Sequence, residues 1–78
     1  PNPFNDQLNI KYSLDKRGEM ELSICDLRGR HLNTLASKSQ NAGFHSITMP
    51  ALGLTSGTYL IVMKHQGRRE IGKVVYLK

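Results

Sequence analysis

Apolar and polar residues alternate with a period of two along most of this chain. Leu8, Ile10, Tyr12 and Leu14 are separated by Asn9, Lys11 and Ser13, the pattern of a strand with one dry face and one wet face. Met20, Leu22 and Ile24 alternate in the same way with Glu19, Glu21 and Ser23, and the intervening Asp15-Lys16-Arg17-Gly18 carries turn chemistry. After Ile24, the run Cys25-Asp26-Leu27-Arg28-Gly29-Arg30 predicts a reversal, with Gly29 free to take a positive φ, into a third strand around His31 to Leu35. Ala36 to Gly43 holds Ser, Lys, Gln and Asn with little apolar content, so it reads as a loop crossing the fold. His45, Ile47 and Met49 alternate again until Pro50 stops the strand. Ala51 to Gly57 is a connection with Leu54 as its apolar anchor. Thr58 to Lys64 is apolar at both parities, as expected of a central strand covered on both sides. Gln66-Gly67 makes a tight hairpin turn into a last strand over Glu70 to Leu77. The register of that strand stays open, because Val74, Val75, Tyr76 and Leu77 are apolar in both alternations.

No segment carries a sustained 3.6-residue apolar stripe, so helix is nearly absent. Six to seven short strands, spaced roughly 8–12 residues apart and joined by glycine-bearing turns, predict an all-β, immunoglobulin-like antiparallel β-sandwich. The likeness is architectural, since the chain has no Trp and a single Cys. At 78 residues it reads as one domain, and a chain of this size buries only about 60–65% of the surface its unfolded form exposes. Little core is left over for a pocket. The chain starts at Pro1 without a Met, and Pro1-Asn2-Pro3-Phe4 reads as the mouth of a linker. Residues 1–5 are accordingly expected to end an upstream linker, with 1–78 a domain cut from a longer protein.

Charge alters the picture through its distribution. Residues 1–63 carry six Lys or Arg against five Asp or Glu, whereas 64–78 carry Lys64, Arg68, Arg69, Lys73 and Lys78 against Glu70 alone. Two accounts stand level: cations that discourage edge-to-edge aggregation, or a basic strip for an anionic partner such as nucleic acid, lipid headgroup or acidic protein. Nucleic acid is the poorer fit, because single-strand readers interleave exposed aromatics with basic groups and only Tyr76 is a stacking platform here, Tyr59 belonging to the core.

Catalytic chemistry is hard to find. Glu19 and Glu21 lie on the wet face of a half-buried strand, where carboxylates are solvated charges. His31, His45 and His65 fall on different strands or turns without metal-ligand spacing, and His45 shares a face with Ile47 and Met49 as a satisfied core-edge histidine. None of the serines sits in a Gly-x-Ser-x-Gly context, and no phosphate-cradling glycine loop is present. Cys25 has no second thiol to pair with and reads as a small, half-buried hydrophobe. No apolar run approaches the roughly 18 residues of a membrane span. No enzyme and no cofactor are indicated.

One ordered set of residues goes further. Pro1-Asn2-Pro3-Phe4, then Ile10-Lys11-Tyr12-Ser13-Leu14, Ile24-Cys25-Asp26-Leu27-Arg28-Gly29-Arg30, Ala42-Gly43 with His45-Ser46-Ile47, Leu54 with Ser56-Gly57 and Tyr59, and a closing Lys73 before a hydrophobic stretch together resemble the type A C-terminal sorting domain of the type IX secretion system of Bacteroidota. The resemblance covers essentially the whole chain. It implies a non-catalytic export signal for a cargo domain on its N-terminal side. The cargo would be recognised by the type IX machinery in the periplasm and passed across the outer membrane to the cell surface or medium, and a surface sortase would cut upstream of the domain. By the same resemblance Gly57, Tyr59, Lys73, Val74, Val75 and Lys78 match the positions read by the machinery, with Gly57 and Tyr59 also fitting backbone and core roles. Asp26, Gly29, Gly43 and Leu54 match its turn and structural motifs. Cys25 stands where the family commonly has an aromatic, and Met49 where Trp is frequent; both keep an apolar side chain.

The rival reading is an immunoglobulin-like accessory or spacer module of a secreted protein that binds a partner or a carbohydrate. A carbohydrate binder is expected to expose a row of aromatics, and the five aromatics here are mostly placed to be inside. An unpaired apolar edge strand also predicts self-association or strand addition by a partner.

Overall fold

The computed structural model describes residues 7–51 and 53–77; the linker assignment at 1–5 and the role given to Lys78 lie outside them. Six strands follow in order, β1 (Gln7–Leu14), β2 (Gly18–Cys25), β3 (His31–Gln40), β4 (Gly43–Pro50), β5 (Gly57–His65) and β6 (Arg68–Tyr76). They form two antiparallel sheets, β1-β4 and β3-β2-β5-β6. The all-β sandwich expected from the alternation is what forms.

Packing follows the pattern in the sequence. Leu8, Ile10, Tyr12 and Leu14 of β1 stand opposite Met49, Ile47, His45 and Gly43 of β4, which gives the small sheet one apolar face. That face meets Met20, Leu22 and Ile24 of β2 together with Tyr59 and Met63 of β5, in two adjoining clusters joined by Leu35 and Ile61. Leu22 and Ile24 are each 1% exposed, and burying such a side chain contributes roughly 1.5–3 kcal/mol. His45 sits half-buried at the rim, stacked on Tyr12 at 5.4 Å, with its Nε2 2.8 Å from the Asn41 carbonyl.

Ala36 to Gly43 differs from expectation. β3 continues to Gln40 and β4 begins at Gly43, leaving only a two-residue turn. Ser37 and Ser39 pair with Glu21 and Glu19 of β2, but β3 is the outer strand of its sheet, so most of its side chains face water and need no apolar character. Register shifts against β2 leave Leu35 and Leu32 without a directly opposed residue, and such bulges break the period of two. One of them turns Leu35 into the core.

β5 is central, as predicted, between β2 and β6. It is covered by a second layer on one face only. On the other, Leu60 stays half-exposed, and Val62 is buried between its neighbours in the sheet. The last strand starts two residues earlier than its apolar content suggested, at Arg68. Gln66 (φ 54°) and Gly67 (φ 72°) both take left-handed conformations at the tip of this hairpin, the geometry of a two-residue turn that follows the strand twist. Because two strands are stacked on four, the side of the sandwich between β1 and β6 is open as a cleft of ≈ 380 Å³ over Ile10, Ile61 and Gly72. No helix among the described residues is long and apolar enough to cross a membrane, which says nothing of membrane-spanning strands.

Candidate functional site

The residues singled out in the sequence gather mostly at one end of the sandwich, where β2 finishes, β5 starts and β6 finishes. Asp26 organises the turn that leaves β2. Its Oδ1 accepts the backbone N–H groups of Arg28 and Arg30, each at 2.9 Å, and its Oδ2 accepts Nε of Arg30 at 3.1 Å. The Gly29 N–H donates to the Asp26 carbonyl at 2.9 Å, with Gly29 at φ 86°, a conformation in which a side chain is disfavoured. The Arg30 backbone donor has the largest effect on the Asp26 carboxyl; desolvation opposes it, and the Arg28 donor together with the charge and side-chain hydrogen bond of Arg30 bring the net position below its usual range.

Across a cleft of ≈ 490 Å³ from this turn lie Leu54, Thr55 and Tyr59. The Leu54 N–H donates to the Ala51 carbonyl at 3.2 Å, and its side chain packs on the cluster that contains Tyr59 and Tyr76. Tyr59 is 8% exposed, and its hydroxyl donates to the Thr55 carbonyl at 2.6 Å. The ring is core and the hydroxyl ties the approach loop at Thr55 to the start of β5. Gly57 opens that strand opposite Tyr76.

Pairing with β5 settles the last strand. Val74 is opposite Tyr59 and Tyr76 is opposite Gly57, which turns both inward; Val74 is half-buried against the core and Tyr76 is 5% exposed. Lys73, opposite Leu60, and Val75, opposite Thr58, point to the outer face, where Val75 is 61% exposed. This corrects the reading of Tyr76 as a stacking platform: its ring is buried under the small sheet and has no face to offer a base. Val74 and Val75, neighbours in sequence, are on opposite sides of the sheet. Gly43 is not brought to this end. It faces Leu14 at the start of β4.

Other expected features take definite places. Glu19 is exposed and Glu21 half-exposed, with Glu21 accepting the Ser23 hydroxyl at 3.3 Å. Cys25 is buried at 7% exposure rather than half-buried, because it lies between Leu60 and His31 in the sheet. The three histidines stay apart: His31 bonds Thr34, His45 bonds Asn41, and the buried His65 has Nδ1 3.8 Å from Asp15. Among the described residues no group of three His, Cys, Asp or Glu side chains is placed to hold a metal ion.

Sequence reasoning missed Lys64, Arg69 and Ile71 as neighbours of Lys73 and Val75 on one face, which only the register reveals. It also missed Phe44, which is 94% exposed on the outer side of the small sheet, opposite Ser13. The family model for the secretion system C-terminal sorting domain matches residues 1–77. No curated protein and no solved structure matches the chain.

Proposed function

Because this chain belongs to the family of type IX secretion system C-terminal sorting domains, a sorting-signal family and not a catalytic one, we propose that it exports its cargo by presenting the outer side of β6 to the machinery. Membership itself carries export across the outer membrane, attachment to a cargo chain and interaction with the secretion apparatus. The observation that supports the more specific reading is the split of the last strand. Val74 and Tyr76 lock β6 onto the core while Lys73 and Val75 stand free on an edge strand beside Leu77, itself 79% exposed. A strand held firmly on one face and displayed on the other is suited to being read as a folded signal.

Gly57, Tyr59, Asp26, Gly29 and Leu54 then act as positioning residues that fix where β6 lies, and Lys73 and Val75 as contacts. Recognition takes place in the periplasm, and a sortase removes the domain at the cell surface by cutting on its cargo side. The free edge of β6 also offers a place for strand addition, by the machinery or by a second copy. The domain itself performs no chemistry.

The test is a secretion assay in a type IX-competent bacterium, with the chain fused behind a fluorescent protein that carries an inner-membrane export signal. The unaltered fusion is expected at the surface or in the medium, and a Lys73→Gln, Val75→Ser double variant in the periplasm. Both side chains are exposed, so the variant should keep its stability to within about 0.5 kcal/mol. Export of the double variant at the unaltered level would overturn the assignment of contacts.

A further inference from the structure

The outer face of the β5-β6 hairpin carries a second pattern. Pairing places Lys64 beside Arg69, Val62 beside Ile71, Leu60 beside Lys73 and Thr58 beside Val75. One side of the sheet therefore carries a cationic row (Lys64, Arg69), an aliphatic row (Val62, Ile71) and two mixed rows in which Lys73 and Val75 follow along β6. Ile71 and Val75 are 57% and 61% exposed, and no second layer covers them. The acid of this hairpin, Glu70, is opposite Met63 and faces the other way. Glu21 stands opposite Lys64 at the margin of the face. Elsewhere Arg30 pairs with Asp26 and Arg68 with Asp15, while Lys64, Arg69 and Lys73 make no ion pair among the described residues.

Cations without an ion pair, interleaved with exposed aliphatics and with no aromatic among them, match the boundary of an anionic lipid layer, headgroup charge outside and hydrocarbon just beneath; the acids on this side, Glu21 and Glu19, lie on β2, away from the Lys73 and Val75 end. A nucleic acid would call for stacking rings. A protein groove is a poorer complement to an open sheet face on which cations and aliphatics follow one another along the strands. We infer that this face docks reversibly on the surface of an anionic phospholipid bilayer. The inference does not depend on the proposed reading by the machinery, and it is tested without any secretion apparatus.

Each cation near an anionic surface contributes roughly a fivefold gain in partition, so three amount to on the order of 100-fold. The experiment is co-sedimentation of the purified chain with vesicles of phosphatidylglycerol and phosphatidylcholine in equal parts, against pure phosphatidylcholine. Two triple variants of equal net charge are compared: Lys64→Gln, Arg69→Gln, Lys73→Gln on the face, and Lys16→Gln, Arg28→Gln, Lys38→Gln off it. Strong binding to anionic vesicles, lost in the first triple and retained in the second, is expected. An Ile71→Ser, Val75→Ser pair should weaken binding severalfold with all charges intact. Equal loss in the two triples, no preference for anionic vesicles, no effect of the serine pair, or tighter binding to polyglutamate than to vesicles would each overturn the inference.

Discussion

Tyr59→Phe separates a structural from a recognition role for the Gly-x-Tyr motif. The ring is buried in the core and stays in place in the variant; what goes is the hydroxyl that donates to the Thr55 carbonyl at 2.6 Å. A hydrogen bond of this kind contributes about 0.5–1.5 kcal/mol. Thr55 is exposed, so water can replace the donor and the cost should lie near the middle of that range. A chain of 78 residues has a stability of roughly 4–12 kcal/mol at 0.05–0.15 kcal/mol per residue. Losing about 1 kcal/mol from the low end leaves ~3 kcal/mol, an unfolded fraction under about 1%. The urea midpoint should fall by up to about 1 M, given a slope near 1 kcal/mol/M for a small domain. Export of the fluorescent fusion should stay close to the unaltered level. Tyr59→Ala, by contrast, removes the ring as well, at a cost of about 3–5 kcal/mol, enough to unfold a large part of the population if the starting stability is low. A Tyr59→Phe variant that is folded and melts as expected, yet remains in the periplasm, would refute the reasoning. The hydroxyl would then be read directly.

Three further outcomes follow from the packing and the turns. Leu22→Ala leaves a void between the sheets and should cost about 2–5 kcal/mol by chemical denaturation; a loss under about 1 kcal/mol would contradict the tight packing around it. Gln66→Asn should stabilise the hairpin by a few tenths of a kcal/mol, since Asn tolerates a left-handed backbone better than Gln; thermal melts read the sign. The Asp26 carboxyl is held below its ordinary pKa of 3.8, so its contribution is fully present above that value and is lost as the pH falls through the lower folded-state pKa. Asp26→Asn should accordingly melt earlier than the unaltered chain at neutral pH, and the two should converge in strong acid. A gap of equal size at both pH values would count against the carboxylate.

Local pattern was enough to find five of the six strands near their observed limits and to place the reversals at Asp26 to Gly29 and at Gln66-Gly67, because alternation and turn chemistry are properties of neighbouring residues. The ordered motif was equally legible, since it is written in residue types and spacings. What alternation does not contain is the partner of each strand. β3 reads as a loop beyond Leu35 because it lies at an edge, where water accepts polar side chains and bulges break the period. In Val74-Val75-Tyr76-Leu77 both parities are apolar, so no local signal says which valine is buried; the pairing of Gly57 with Tyr76 and Tyr59 with Val74 decides it. That one register puts Tyr76 under the small sheet, leaves Lys73 and Val75 on the outside, and aligns them with Lys64, Arg69 and Ile71 from across the hairpin. The sequence by itself determined five of the strands, the reversals at Asp26 to Gly29 and at Gln66-Gly67, and the family. Only the tertiary structure decided which side of the last strand faces the world, because burial belongs to the assembled sheets and not to any single strand.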